Sequence, residues 1–315
     1  MPDDLDGLHA DVLRWYAEHA RDLPWRRPAD GVLESTPSAP LPAEEARATA
    51  WGVLVSEVML QQTPVVRVEP VWREWLARWP TPADLAAAPA GEAVRAWGRL
   101  GYPRRALRLH AAAVALVERH DGVVPEDLDA LRALPGVGAY TAAAVASFAH
   151  GQRHAVVDTN VRRVHARLVT GAAQPAPALT AAETALAVAL LPATPRAAAG
   201  WAVAVMELGA LVCTARAPRC GACPVAGRCA WQAAGAPPAE GPARRGQAWE
   251  GTDRQVRGRL LAVLRASTTP VAAVDLEAAV PAADDAGRAQ RERCLASLVA
   301  DGLVVRRDDR WALPG

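Results

Sequence analysis

Lysine is missing from this sequence. None of its 315 residues is a lysine, so all positive charge other than histidine and the amino terminus comes from arginine. This absence excludes any mechanism that uses a lysine side-chain amine as the nucleophile. The formal net charge is only +1, which does not indicate nucleic-acid binding by the chain as a whole. Contact with a nucleic acid would therefore have to come from local groups of arginines.

Signals for membranes and for secretion are missing as well. No apolar run is long enough and free enough of charge to span a bilayer. Residues 1–8 are acidic and lack the hydrophobic region of a signal peptide. We therefore predict a cytoplasmic protein with no membrane partner, in a reducing compartment. We also expect the protein to be a monomer. Its length allows two or three lobes that each bury a core.

Four of the five cysteines lie close together, at intervals that read C-x6-C-x2-C-x5-C: Cys213, Cys220, Cys223 and Cys229. Four thiolates within one loop suit an iron–sulfur cluster, which needs one thiolate per iron. Tetrahedral zinc is the alternative, because the C-x2-C pair alone fits a zinc knuckle. The fifth cysteine, Cys294, lies far downstream, which argues against a disulfide framework.

Apolar periodicity predicts a mainly helical protein. Residues 8–20 carry the apolar stripe of an amphipathic helix, and from Trp51 onward short helices follow one another between prolines. Residues 28–48 are rich in proline, alanine and acidic side chains, which favours a flexible insertion. No alternating run before residue 300 is long enough to predict a sheet.

The end of the chain has its own pattern. Helices are expected at 253–266, 274–279 and 286–300, followed by strand-like runs at 303–307 and 310–313. Helices before a two-stranded wing predict a small winged-helix-like α+β module. A plain helical cap is the alternative.

A glycine-containing turn lies between two predicted helices, 126–133 and 139–149. Its sequence is LPGVG, and Gly136 and Gly138 would let bare backbone amides face a phosphate at the start of the second helix. Twenty residues after Gly138 stands Asp158. Taken alone, Asp158 is read as a helix cap.

Hairpin, aspartate and cysteine loop together resemble, in order and spacing, the endonuclease III and MutY superfamily of helix-hairpin-helix DNA glycosylases. The resemblance covers about residues 8–232. It implies two helical lobes around a cleft, a 4Fe–4S cluster in the cysteine loop, double-stranded DNA as partner, and association with the nucleoid if the protein is bacterial. Such enzymes flip a base out of the duplex and hydrolyse its N-glycosidic bond.

The resemblance also divides the chain. We predict an N-terminal helix and pocket segment at 1–27 that packs on the cluster lobe, a flexible insertion at 28–48, a helical lobe with the hairpin at 49–153, an iron–sulfur lobe at 154–232, a linker at 233–250 and the winged-helix-like module at 251–315.

Two segments resemble the MutY branch. Tyr140 stands where bifunctional members carry a lysine nucleophile, so water must attack here and the enzyme is expected to be monofunctional. Residues 55–63 (VSEVMLQQT) resemble the MutY catalytic helix, in which Glu57 would protonate N7 of a mispaired adenine while Asp158 faces the developing oxocarbenium ion. A salt-bridged structural carboxylate is the alternative for Glu57. The implied substrate is adenine opposite 8-oxoguanine or guanine.

Further residues are carried over from the family as contacts to the base or to DNA: Arg21, Trp25, Arg26, Gln62, Leu100, Tyr102, Gly136, Gly138, Asn160, Arg216 and Arg219. Trp25 would pack on the flipped base, Gln62 would wedge into the duplex and Tyr102 would probe the opposite base. Taken alone, Trp25 and Tyr102 are interpreted as core or surface aromatics. Arg216 and Arg219 of the cysteine loop, taken alone, are interpreted as solvated surface residues. Arg104, Arg105 and Arg108 are expected to add charge beside Tyr102.

The sequence departs from the family at several places. Pro103 replaces a second tyrosine, and Val203 stands where relatives often carry a glutamine or glutamate that contacts adenine. Residues 250–315 are too short for the Nudix-like domain that reads 8-oxoguanine, so the partner of the C-terminal module is left unassigned. Two other functions are kept open. They are excision of another damaged base by the same fold, and a noncatalytic iron–sulfur protein that binds DNA.

Overall fold

The computed structural model describes residues 4–26, 49–239 and 249–315. The predicted insertion at 28–48 lies outside these residues, as do residues 240–248 of the predicted linker. In chain order the α-helices of the described chain are α1 (Leu5–His19), α2 (Ala50–Leu60), α3 (Val65–Arg78), α4 (Pro82–Ala87), α5 (Ala90–Ala96), α6 (Arg104–His120), α7 (Leu128–Arg132), α8 (Ala139–Phe148), α9 (Thr159–His165), α10 (Ala181–Ala189), α11 (Pro195–Leu211), α12 (Ala230–Ala233), α13 (Asp253–Ala266), α14 (Ala273–Ala279) and α15 (Asp285–Ala300). The strands are β1 (Val271–Ala272), β2 (Val305–Arg307) and β3 (Arg310–Ala312).

The chain forms two compact units. The first unit comprises Met1–Glu57, Pro125–Ala133 and Val137–Pro242, and the second comprises Val58–Val124, Leu134–Gly136 and Ala243–Gly315. This division groups α8 with the cysteine loop, and it groups the C-terminal module with α3 to α6. The boundaries predicted at residues 153 and 232 would separate the chain differently and stay a prediction.

Helices α1, α9 and α11 build the core of the first unit. Helix α1 buries Leu8, Val12 and Trp15 at helical spacing against α11. Helix α11 is apolar on nearly all sides, as expected of a helix with several packed faces. Its Gly209 leaves room for α9, because a Cβ there would lie 2.7 Å from the Cβ of Asn160.

The predicted hairpin is formed by α7, the turn and α8. Asp127 caps α7 by accepting a hydrogen bond from the amide of Ala130 at 2.8 Å. Gly136 has a φ of +78°, and a Cβ there would lie 2.7 Å from the Cβ of Arg108, so glycine is required on both counts. Gly138 is the N-cap of α8 and has open space where a Cβ would be.

In the second unit, α3 to α6 pack around three buried tryptophans, Trp72, Trp75 and Trp97. The rings of Trp75 and Trp97 meet edge to face with 5.8 Å between their centroids. None of the described helices has the combination of length and apolarity that a bilayer crossing requires.

The C-terminal module has helix–strand–helix–helix–strand–strand order, with an antiparallel sheet in the order β1-β3-β2. This confirms the predicted winged-helix-like fold, and the plain helical cap is wrong. One strand, β1, lies before residue 300, where no alternating run is long enough to predict a sheet. Strand β1 has only two residues, too few to show alternation, and it exists because Val271 pairs with Trp311 of β3.

The module is anchored to α5. The amide of Gly91 donates to the carbonyl of Pro314 at 2.8 Å, and a Cβ on Gly91 would lie 2.8 Å from the Cβ of Leu313. Arg265 of α13 donates from Nε to the carbonyl of Val94 at 2.8 Å, and Arg95 donates back to the carbonyl of Arg265. These contacts make the module an integral part of the second unit.

Candidate active site and iron–sulfur loop

Glu57 lies in the last part of α2, and nearly all the remaining residues of this helix are apolar. Its residue surface is only 6% exposed. Burial raises the pKa of Glu57 from 4.5 to about 7, although a hydrogen bond with Tyr140 and the charge of Arg26 act in the opposite direction. A carboxyl group with this pKa can hold a proton at neutral pH and release it, as a general acid must.

Tyr140 lies in the first turn of α8, half-buried, with its side chain hydrogen-bonded to Glu57. Burial, followed by the negative charges of Glu57 and Asp158, raises the pKa of Tyr140 well above 10. The phenol therefore stays protonated, and it serves as a hydrogen-bond donor that orients the carboxyl of Glu57.

Asp158 is the N-cap of α9, so the helix-cap interpretation is confirmed. Its Oδ1 accepts from the amide of Val161 at 2.7 Å, and its Oδ2 accepts from Nδ2 of Asn160 at 2.8 Å. Burial raises the pKa of Asp158, whereas these hydrogen bonds favour the ionised form. Capping also fixes the carboxylate in place, and its charge acts on Glu57.

A chain of hydrogen bonds joins Asp158 to the cysteine loop. Arg163 donates from Nη2 to Oδ1 of Asn160 at 2.7 Å and to the carbonyl of Gly209 at 2.7 Å. Its Nε donates to the carbonyl of Cys213 at 2.6 Å. Asn160, predicted as a DNA contact, therefore links the aspartate to the arginine that holds the first cysteine.

Glu207 of α11 was not predicted, and it organises the segment around residues 21–26. It is fully buried and accepts from Nε and Nη2 of Arg21 at 2.6 and 2.8 Å, and from Arg26. Burial alone would raise the pKa of Glu207, yet the hydrogen bonds and charges of Arg21 and Arg26 outweigh it and lower the pKa to about 2. Trp25, between these arginines, is 4% exposed.

One sequence signal pointed to Glu207. It is the only acidic residue in the 17 residues of α11, and a carboxylate in an apolar helix needs a cationic partner. The sequence alone could not name that partner, because Arg21 and Arg26 lie 186 and 181 residues away.

In the second unit, Gln62 and Tyr102 lie on two exposed turns and have left-handed backbone conformations, with φ of +56° and +46°. Tyr102 is 54% exposed, whereas Leu100 is buried and its carbonyl accepts from Oγ1 of Thr63 at 3.2 Å. A role for Gln62, Leu100 and Tyr102 in DNA contact stays a prediction.

Arg105 joins these two turns. It is 6% exposed, so the charge that it places beside Tyr102 is buried. Burial lowers its pKa to about 10. Its guanidinium lies 5.2 and 5.4 Å from the ring centroids of Trp97 and Tyr102. It donates at 2.6–3.1 Å to the carbonyls of Val58, Met59, Gln61 and Gly101 and to the hydroxyl of Thr63.

The four cysteines of the loop share one electrostatic environment. Burial raises the pKa of Cys223 to about 11, and the charges of the other three cysteines add to this effect. Arg167 donates to Sγ of Cys213 at 3.4 Å, and Gln232 donates to Sγ of Cys220 at 3.0 Å. These contacts match a set of thiolates that binds a cationic centre and receives hydrogen bonds at sulfur.

The arrangement suits a cluster better than a single ion. Within the described ranges, no three histidine, cysteine or acidic side chains lie close enough to hold one metal ion. Tetrahedral zinc needs all four sulfurs on one atom, whereas a 4Fe–4S cluster places one sulfur on each of four irons. Arg219 in this loop donates to the carbonyl of Leu211, and Arg216 is exposed. Phosphate contact by these two arginines stays a prediction.

Comparison with known proteins agrees with this geometry. Residues 55–188 match the sequence model of the HhH-GPD superfamily of base excision DNA repair proteins. The adenine DNA glycosylase of Mycobacterium tuberculosis is 52% identical over 306 residues, which cover 97% of this chain and 93% of that protein. The chain belongs to the HhH-GPD superfamily. The adenine DNA glycosylase of Mycolicibacterium smegmatis is 53% identical, covering 97% of this chain and 95% of that protein.

The cofactor loop and the fold have separate support. Residues 213–229 match the iron–sulfur binding domain of endonuclease III, which confirms the predicted 4Fe–4S cofactor. A thermostable thymine-DNA glycosylase shares the fold, with a TM-score of 0.60 at 24% identity over 73% of this chain and 97% of that chain. A non-covalent endonuclease III–DNA complex has a TM-score of 0.52 at 26% identity over 59% of this chain and 85% of that chain. The predicted superfamily and mainly helical fold class are thereby confirmed.

Proposed function

We propose that this protein is a monofunctional DNA glycosylase that hydrolyses the N-glycosidic bond of adenine mispaired with 8-oxoguanine or guanine. The observation that carries the proposal is the buried carboxyl of Glu57, which lies near Tyr140 and the capping carboxylate of Asp158; burial raises the pKa of Glu57 to about 7. Adenine is a poor leaving group, and such a carboxyl can protonate it. The two mycobacterial relatives named as adenine DNA glycosylases support adenine as the base.

In this mechanism Glu57 transfers its proton to N7 of the flipped adenine, and the bond between C1′ and N9 breaks. The carboxylate of Asp158 stabilises the positive charge that develops on the sugar. Water adds to C1′ and gives its proton to the carboxylate of Glu57, which restores the acid. Because the chain has no lysine, no side-chain Schiff base forms and the strand is left intact.

The pocket for the base is proposed around residues 21–26. Trp25 and Arg26 would contact the adenine, and Glu207 would hold Arg21 and Arg26 in position through the fork of hydrogen bonds described above. Val203 leaves this pocket without a further polar side chain at its position, so selection of the base would depend more on Arg26 and Glu207.

Duplex DNA is proposed to contact the hairpin as well. Gly138 has no atom within 4 Å of the place where a Cβ would lie, and it precedes the amides that begin α8. This leaves room for a phosphate at the helix N-terminus. The similarity to an endonuclease III–DNA complex supports DNA binding. We also propose that the protein acts as a monomer in the cytoplasm, at the nucleoid.

The experiment is single-turnover base release from duplexes with adenine opposite 8-oxoguanine, guanine or cytosine, and from one duplex with an oxidised pyrimidine. Half of each reaction receives alkali. Breaks at adenine that need alkali, and that disappear in Glu57→Gln, are expected. Glu118→Gln, the same change at an exposed position on α6, is the control.

Two results would redirect the proposal. Release of another base but not of adenine would mean that the site serves a different lesion, which the thymine-DNA glycosylase of the same fold makes a real alternative. Binding without release from any duplex would favour the noncatalytic alternative. Full activity in Glu57→Gln would refute the assigned acid.

A further inference from the structure

A groove of about 1500 Å³ lies within the second unit, between α6 with its preceding turn and α13 of the C-terminal module. Nine arginines line it, against a single acidic side chain, Asp301. The whole chain has a formal net charge of only +1. The excess of positive charge is therefore a property of this groove and does not follow from the composition of the chain.

Some of these arginines serve the fold. Arg105 binds backbone carbonyls, and Arg104 and Arg257 share Asp301 at 3.2 and 2.6 Å, which joins α6 to the C-terminal module. Five others are exposed and form no ion pair with any residue in the described ranges: Arg67, Arg99, Arg108, Arg254 and Arg259. Mutual repulsion among uncompensated charges disfavours this arrangement unless a polyanion binds.

We propose that this groove binds the phosphate backbone of duplex DNA, along the strand that carries the base opposite the adenine. The inference rests on the proposed function in taking duplex DNA as the ligand. Gln62 and Tyr102 line the same groove and are the residues predicted to enter the duplex, Tyr102 beside the opposite base. A strand that passes Tyr102 would continue along the arginines of α13.

Two features suit this groove to phosphates in particular. Guanidinium groups present a planar fork that binds two phosphate oxygens at once. Trp249 is 52% exposed at the groove, and its ring lies 5.1 Å from the guanidinium of Arg254, which restrains that side chain. The anchoring of the module on α5 holds the α13 wall in place before DNA arrives, so little ordering is required on binding.

The experiment is duplex binding measured by fluorescence anisotropy as a function of salt, with the full-length protein and with the double variant Arg254→Gln/Arg259→Gln. Each lost phosphate contact lowers the salt slope of log K by about 0.9, so the double variant should lose about 1.8. Its affinity deficit should shrink by about tenfold between roughly 50 and 200 mM salt. Arg254→Lys/Arg259→Lys keeps both charges and should keep most of the slope.

The matched control is Arg288→Gln/Arg310→Gln, which removes two exposed arginines of the same module outside the groove. It should leave the slope unchanged. An unchanged slope in the groove variant, or equal losses in both double variants, would overturn the proposal. Hydroxyl-radical footprints add a second readout. Protection that the groove variant loses on the strand opposite the adenine, relative to the wild type, supports the assignment. A loss of protection confined to the strand that carries the adenine contradicts it.

Undamaged duplex is included because its binding requires no base excision. If the groove variant has a smaller salt slope of log K on undamaged duplex while the wild type releases no adenine, the assignment of the groove to DNA binding is supported and the proposed substrate is refuted. If the wild type releases adenine but the salt slopes of the wild type and the groove variant agree, the proposed function is supported and the assignment of the groove is refuted.

Discussion

Base release should depend on pH through Glu57, and the structure gives the size of this dependence. An ordinary carboxyl with a pKa of 4.5 would be protonated in about one molecule in a thousand at pH 7.5, whereas a pKa of about 7 leaves about one in four protonated. Burial on α2 therefore increases the population of the acid form about two-hundredfold at that pH. Above pH 7 the rate should fall about tenfold per pH unit.

The assay is single-turnover adenine release with the enzyme below saturation, because these conditions report the pKa of the free protein. Tyr140→Phe removes a hydrogen bond that stabilises the carboxylate of Glu57, so the falling limb should move to higher pH. Asp158→Asn removes a neighbouring negative charge, which lowers the pKa of Glu57. The pH above which the remaining base-release rate falls should therefore move to a lower value.

The signs of these shifts make the test stringent. A falling limb near pH 4.5 in the wild type would mean that Glu57 is not held by its apolar surroundings, and a flat profile to pH 9 would mean that no carboxyl donates the proton. Limbs that move together in both variants would contradict the electrostatic account. Circular dichroism across the same pH range controls for unfolding.

Three further predictions concern residues that hold the site. Glu207→Gln should lower the free energy of unfolding by about 3–5 kcal/mol, because two arginines lose a buried carboxylate. Since folding lowers the pKa of Glu207 from 4.5 to about 2, the wild type should lose this stabilisation as the pH falls from 4.5 to 2. Denaturant melts of the wild type that show no loss of stability over this pH range would refute the prediction. Arg105→Lys should lower the free energy of unfolding by about 2 kcal/mol or more in the same melts, because a lysine ammonium cannot replace the guanidinium that donates to five acceptors. Equal stability of the variant and the wild type would show that these hydrogen bonds are dispensable. Gly209→Ala should lower the melting temperature, because its Cβ would meet Asn160 at 2.7 Å, whereas Gly221→Ala, with open space at its Cβ, should not.

Local patterns in the sequence determined the family and much of the chemistry. The spacing of the four cysteines, the tyrosine at position 140, and the absence of lysine are readable without a fold. The helices of the C-terminal module were predicted to within a residue or so, because amphipathic periodicity follows from helix geometry alone. Asp158 was correctly identified as a helix cap because its partner, the amide of Val161, is three residues away.

Only the tertiary structure decided how these groups act. The pKa of Glu57 depends on which side chains close over it, and the partners of Glu207 come from the other end of the first unit. The sequence predicts only that Arg105 adds charge beside Tyr102, and the fold decides that this charge is buried and bound to backbone carbonyls. The arginines of the groove come from segments more than a hundred residues apart. Hydrogen bonding, burial and charge all act through space, and a sequence pattern records only what lies within a few residues along the chain.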